Sequence, residues 1–260
     1  MKAPHRPVKS LGQNFLDSRI QQKIVKSCDF KEEDVVVEIG PGHGAMTKEL
    51  LSVVKRVIAV EKDRNLVSFL KEQYSADSLE IIDADFLKWD MDSLPDNLVV
   101  IGNIPYYIST PIIEKLILTR HKIKKAFLTV QLEFAHRLAA KAGNKDYGSL
   151  SCFVQYYFDV KILFKINKGS FNPVPKVDSS FVSLIPKPTP ELKANNEERL
   201  FKMIQTAFMQ RRKTIVNTLK GLVQPEQLIQ ELNRLKIDPQ SRPEDITLLN
   251  YIELSNSLMI

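Results

Sequence analysis

Between Val35 and Val130 the chain alternates short, almost wholly apolar runs with longer stretches whose apolar residues recur every three or four positions. The runs "VVVEIG", "RVIAVE", "LEIID", "NLVVIG" and "KKAFLTV" predict strands buried on both faces. The stretches "AMTKELLSVV", "RNLVSFLKEQY" and "TPIIEKLIL" predict amphipathic helices between them. Such alternation builds βαβ units and a parallel sheet covered by helices, an α/β fold. "VKILFKI" and "SSFVSLI" follow as two strands with no predicted helix between them, so the sheet is expected to end in an antiparallel pair. "PKPTPELKANNEER", Pro186 to Arg199, then reads as a linker, because three prolines and a polar majority suit neither period. Beyond it "LFKMIQTAFM" and "PEQLIQELNRL" return to helical spacing. The expected organisation is an α/β domain over residues 1–186 and a small all-helical domain over 187–260, without internal repeats.

Composition narrows the class without deciding it. With 43% hydrophobic and 26% charged residues, the 260-residue chain has the make-up of a globular protein with a sizeable core. Its net charge of +6 permits an anionic partner, and the distribution strengthens that reading. Lys2, Arg6 and Lys9 precede the first acidic residue, Asp17, and Arg199 to Lys220 holds six basic residues and no acidic one. Both stretches suit phosphate. Cys28 and Cys152 are too few and too far apart for a disulfide framework or a thiolate zinc site, and the four histidines lack ligand spacing, so no metal is expected. No secretory signal and no apolar run long enough for a membrane span is visible, which makes the cytoplasm the expected location.

The candidate chemistry lies at successive strand ends. The first strand runs into "EIGPGHGAMT", where Gly40, Gly42 and Gly44 allow a tight turn and close approach of a ligand to the backbone. About twenty residues on, the second strand ends at Glu61, a carboxylate placed to accept from ribose hydroxyls. The third ends in "DADF", with Asp85 and Phe86 where an adenine would lie; taken singly, Asp85 also suits a helix N-cap and Phe86 the core, and it is the ordered series that favours an adenosyl ligand. NAD and S-adenosylmethionine both fit this series. Glu38, just before the glycines, would repel a pyrophosphate and attract the cationic groups of S-adenosylmethionine, which favours the methyl donor, unless it caps the turn that follows.

At the fourth strand end stands "GNIPYYIST", Gly102 to Thr110. The exocyclic amine of adenine is a weak nucleophile, so methylating it needs positioning more than a strong base. Asn103 can offer its side-chain oxygen and Ile104 its backbone carbonyl as acceptors for the two amine hydrogens. Pro105 fixes the backbone that aims the carbonyl, and Tyr106 gives a face on which a flipped base stacks. Phe171 opens "FNPVPKVD", a loop stiffened by Pro173 and Pro175, and is either placed to close on the base from the other side or an ordinary core residue beside the last strands. Arg211, Arg212 and Lys213, fanned around a helix and joined by Lys220, are the candidate grip on RNA phosphates.

These motifs carry a resemblance to the small-subunit ribosomal RNA adenine-N6 dimethyltransferases. "SLGQNFL" (10–16), "EIGPGHG" (38–44), "VEKD" (60–63), "DADF" (83–86), "GNIPYYIST" (102–110), "DYGSLS" (146–151), "FNPVPKVDSS" (171–180), "QRRKTIVNTLK" (210–220) and "RPEDI" (242–246) match in order along nearly the whole chain. The resemblance implies a Rossmann-like class I methyltransferase sheet and a cofactor, S-adenosylmethionine, lined by Asn14, Leu16, Gly40, Glu61, Asp85 and Asn103. It implies that Phe171 joins Tyr106 around the target base. It also implies transfer of two methyl groups to each of two adjacent adenines in the 3′-terminal hairpin of small-subunit rRNA, late in subunit assembly. A monomer is expected on separate grounds, since nothing in the sequence suggests an extra apolar face.

Two departures stand out. Tyr107 occupies a place where the family usually has Asn, which leaves the chemistry intact, and Leu132 stands where a basic residue is common, which bears on an RNA contact. The erythromycin-resistance methylases of the large-subunit rRNA share "QNFL", "GNIPY" and the Phe-Pro segment, but "DYGSLS", "QRRKTIVNTLK" and "RPEDI" resemble the small-subunit enzymes. A non-catalytic rRNA-binding assembly factor or a mitochondrial transcription-factor relative on the same fold is the alternative of another class, and the intact Asn103 to Tyr106 speaks against it.

Overall fold

The protein is described by a computed structural model covering residues 14–74, 77–188 and 193–258. The basic residues at 2, 6 and 9, and residues 189–192 of the proline-rich segment, lie outside these described residues. The strands are β1 (Phe15–Leu16), β2 (Val35–Ile39), β3 (Arg56–Glu61), β4 (Leu79–Asp83), β5 (Leu98–Asn103), β6 (Ile123–Gln131), β7 (Phe158–Ile166), β8 (Phe171–Asn172) and β9 (Ser179–Pro186). Among the helices, α1 (Ser18–Ser27), α2 (Ala45–Leu50), α3 (Arg64–Gln73), α4 (Ser109–Leu118) and α5 (Leu132–Ala139) precede α6 (Ser149–Tyr157). The rest are α7 (Glu197–Phe208), α8 (Ile215–Leu219), α9 (Pro225–Arg234) and α10 (Leu248–Ser257). No helix among the described residues is long and apolar enough to cross a membrane.

The large sheet has the order β4-β3-β2-β5-β6-β9-β7. From β4 to β6 every pairing is parallel, and β9 runs antiparallel to β6, with Gln131 opposite Ser179. The continuous apolar runs have the expected cause: Val36, Val37, Val57, Ile58, Leu98, Val100 and Ile101 are completely buried. The predicted antiparallel ending is present, with β9 between β6 and the edge strand β7. From β2 the chain runs outward through β3 to β4, then returns to β5 on the other side of β2. The crevice at the carboxyl ends of β2 and β5 is therefore the switch point at which open α/β sheets bind ligands. Gly102 lets these two strands meet there, since a Cβ on it would lie 2.9 Å from Ile39 Cβ.

The chain resolves into two units, and their limits differ from the expected single cut at 186. Residues up to 135 and Asp159–Pro186 form the first, while His136–Phe158 joins Lys187–Ile260 in the second. The physical reason is a shared core. Tyr147, Cys152 and Tyr156, on or beside α6, are buried with Leu200, Met203 and Ile204 of α7 and Leu228, Tyr251 and Leu254 further on. The periodicity of α7 and α9 announces part of this unit, but "SLSCFVQYY" lies upstream of the linker and gives no sign of its destination.

Candidate active site

One cleft in the first unit gathers most of the residues singled out above. It is lined by Asn14, Gly40, Gly42, Glu61, Asp85 and Phe86, together with Asn103, Ile104, Pro105, Tyr106 and Phe171. Four strand ends and the β1–β8 pair thus converge at the switch point.

The glycine turn is built for close approach. Gly40 has φ +63°, a region that costs other residues, and a Cβ on it would meet nothing within 4 Å. Open space therefore faces the backbone at the floor of the cleft. Gly42 has φ +60°, and its amide donates to Glu61 Oε2 at 3.2 Å. Glu61 Oε1 accepts from the amides of Lys62 and Asp63, each at 2.9 Å. Burial raises the Glu61 carboxyl above its ordinary range, and these three amides work against that shift. Glu61 thus holds the turn as well as facing the cleft.

Asp85 has two partners of its own. Its Oδ2 pairs with Lys62 Nζ at 2.8 Å and its Oδ1 accepts from the Leu87 amide at 3.1 Å. Burial alone would raise this carboxyl, but the lysine and the amide hold it below the usual range, so it is a carboxylate at neutral pH. Lys62, and Tyr107 with its exposed ring, line the same cleft and were not among the candidates drawn from sequence. For Lys62 the signal lay in its place one residue after Glu61.

At the end of β5, Asn103 Nδ2 donates to the Asn14 carbonyl at 2.8 Å. That bond commits the donor end of the amide and leaves its oxygen as the acceptor for a ligand amine. Ile104 is buried with 2% exposure, and Pro105, with φ −59° and ψ 133°, starts the single 3-10 turn Tyr106–Ile108. The Tyr106 hydroxyl lies 2.6 Å from Ser179 Oγ, and half-burial pushes it above its ordinary range. Phe171 is only 3% exposed; its ring belongs to the core with Leu16 and Phe181 and at the same time walls the cleft. The choice between a core and a cleft residue is not exclusive at this position.

Three expectations are corrected. Glu38 does not line the cleft: it is completely buried, with Oε2 accepting from Thr47 Oγ1 at 2.6 Å and no hydrogen-bond partner for Oε1 among the described residues. Burial, with Glu61 adding repulsion, pushes its carboxyl up to about 7, so it is no fixed negative charge against a ligand. Leu16 packs its side chain into the core rather than lining the cleft, because β1 pairs with β8 and turns it inward. Arg211, Arg212 and Lys213 do not lie on a helix but in the turn between α7 and α8. All three are exposed, as is Lys220 just after α8. Arg211 is engaged within its own unit, donating to the Lys145 carbonyl at 2.8 Å and lying 3.9 Å from Glu244.

Strand order, the open glycine floor and acids at successive strand ends define the protein as a class I methyltransferase. The ribosomal RNA adenine dimethylase family matches residues 5–259. The ribosomal RNA small subunit methyltransferase A of Dechloromonas aromatica is 39% identical over 98% of both chains. The protein of the same name from Chlorobaculum tepidum is 41% identical over 95% of this chain and 89% of its own. Among solved structures, a dimethyladenosine transferase from Plasmodium falciparum superposes with a TM-score of 0.81, at 28% identity over 95% of this chain and all of its own. The 23S rRNA methyltransferase ErmE superposes with a TM-score of 0.76, at 26% identity over 94% and 99%. The chain belongs to the ribosomal RNA adenine dimethylase family, whose methyl donor is S-adenosylmethionine and whose substrate is ribosomal RNA.

Proposed function

We propose that this protein transfers two methyl groups from S-adenosylmethionine to the N6 of each of two adjacent adenines in the 3′-terminal hairpin of small-subunit rRNA. It does so as a monomer, in the cytoplasm, during assembly of the subunit. The observation that carries the reading is the Asn103 amide, bonded through Nδ2 to Asn14 and followed by Ile104-Pro105-Tyr106 on the wall of the cofactor cleft.

When bound, the cofactor supplies an electrophilic methyl group. Gly40 gives it close backbone approach, Glu61 accepts from its ribose and Asp85 from its adenine, while Asn14 and Asn103 flank the remainder. Asn103 Oδ1 and the Ile104 carbonyl take the two hydrogens of the target amine and turn its lone pair toward the methyl. Both acceptors gain strength as the nitrogen becomes positive, so they favour the transition state over the bound substrate. Tyr106 stacks the flipped base and Phe171 closes the opposite side. Arg212, Lys213 and Lys220 hold RNA phosphates, with Arg211 at the base of their turn.

The test is incubation with labelled S-adenosylmethionine and unmethylated small subunits, large subunits or free RNA. Label in the small subunit, released as N6,N6-dimethyladenosine and absent from the Asn103→Ala variant, is the expected result. Label in the large subunit alone would assign the protein to the ErmE-like activity instead, and no label in any RNA would make it a binding factor.

A further inference from the structure

We infer that Ser179 is a positioning residue for methyl transfer, tethering the Tyr106 ring in the orientation that receives the target base. This rests on the reading of Tyr106 as the stacking platform. Tyr106 belongs to a single 3-10 turn following Pro105, with the cleft on one side of its ring. The backbone of so short a turn does not by itself fix the two side-chain torsions of a tyrosine. A hydrogen bond at the far end of the ring does, and the hydroxyl has one: Ser179 Oγ at 2.6 Å.

The tether is worth something only if its own end is immobile. Ser179 is completely buried, begins β9 and stands opposite Gln131 in the antiparallel pairing with β6. The residue before it is held from three directions. The Asp178 carbonyl accepts from the Leu132 amide at 3.0 Å, and its carboxylate accepts from the Lys168 amide at 2.9 Å and pairs with Lys165 at 2.7 Å. Phe171 starts the same segment, where β8 is paired to β1. One pinned stretch of chain therefore supplies the second aromatic of the cleft and the anchor of the first.

The neighbouring serine shows that this is not the ordinary use of a hydroxyl on β9. Ser180 Oγ donates to the Phe164 carbonyl, within the sheet. Ser179 instead reaches the loop after β5. It is not on the cleft wall and touches no reacting atom, so its effect passes through Tyr106. Burial also keeps the Tyr106 hydroxyl above its ordinary range, so it stays protonated at assay pH and acts as a tether, not a base.

Ser179→Ala and Tyr106→Phe remove the same bond from opposite ends, and only the first alters β9. Each should slow single-turnover methylation of unmethylated small subunits by about three- to tenfold, the worth of one net hydrogen bond. Cofactor affinity by calorimetry should not change. The double variant should be no slower than either single one, as two changes to one bond are not additive. With 2-aminopurine at the target position of the RNA, both variants should leave its fluorescence less quenched than the wild type does.

A wild-type rate in Tyr106→Phe, or a double variant whose loss is the product of the two single losses, would overturn the proposal. Tyr106→Ala separates the two readings. If it too methylates and quenches normally, the stacking platform falls and the tether with it; if it alone is impaired, the platform stands and the tether falls.

Discussion

Replacing Glu38 by Gln should stabilise the fold at alkaline pH and leave it almost unchanged in mild acid. Glu38 is completely buried, and its carboxyl is raised from 4.5 to about 7, chiefly by burial. The Thr47 hydroxyl lowers the value and Glu61 raises it, and the Tyr74 hydroxyl also feels the Glu38 charge. In the unfolded chain the same carboxyl titrates near 4.5. A raised carboxyl contributes stability that is fully present below pH 4.5 and is lost as pH climbs through 7. The interval spans about 2.5 units at roughly 1.4 kcal/mol each, so the ionised side chain costs the fold about 3 kcal/mol by pH 8. Gln keeps an oxygen for the Thr47 hydroxyl and cannot ionise. Urea unfolding of both proteins should therefore show Glu38→Gln more stable by about 3 kcal/mol at pH 8, with the gap falling below about 1 kcal/mol at pH 5. Comparing the two proteins at each pH cancels the titrations of groups that are not coupled to Glu38. A gap of equal size at both values, or a wild type more stable at pH 8, would refute the buried and mostly uncompensated charge.

Glu61→Gln should weaken S-adenosylmethionine by about 1.5–3 kcal/mol in calorimetry, because an amide cannot accept from ribose and from three backbone amides with both of its ends; unchanged affinity would remove Glu61 from the cofactor. Phe171→Leu should cost less than about 1.5 kcal/mol of stability as a near-conservative core change, yet lose about 1–3 kcal/mol of base binding. Wild-type methylation with a lowered Tm would leave Phe171 as core alone. Arg212→Ala with Lys213→Ala should flatten the salt dependence of small-subunit binding by about 2 units in the slope of log K against log[salt], measured by filter binding. Arg211→Ala should act differently, lowering the Tm through loss of its bond to Lys145, and an unchanged Tm would return Arg211 to the phosphate-binding group.

How far the chain could be read depended on how local each cause was. The parallel sheet was legible because burial on both faces forces continuous apolar runs, and Val36 to Ile39 or Leu98 to Ile101 have no other use for them. The strand-end residues were legible because the switch-point rule converts sequence order into place: Gly40, Glu61, Asp85 and Asn103 reach one cleft along four strands. Residues whose role depends on partners distant in sequence were not legible. Glu38 has the position of a ligand-facing acid, but side chains alternate across a strand, and it is turned toward Thr47. Ser179 is one serine of a Ser-Ser pair with no mark of its bond to a tyrosine 73 residues away.

The helical unit makes the same point about the motifs that favour small-subunit rRNA. "DYGSLS", "QRRKTIVNTLK" and "RPEDI" look independent along the chain, and a basic triplet invites the reading that all three side chains meet phosphate. In the fold they are one junction. Arg211 donates to the carbonyl of Lys145, just before the first motif, and approaches Glu244 of the third, while the Gly143 amide donates to the Glu244 carbonyl at 2.8 Å. Tyr147 packs edge-on against Phe208, whose ring also meets Tyr251, and the Tyr251 hydroxyl donates to the Pro243 carbonyl. The second residue of the triplet and the third, with no such ties among the described contacts, are the ones left to solvent and RNA. A motif of three cations thus divides into one that builds the turn and two that the turn presents, and a salt-slope experiment should count two charges where the sequence counts three.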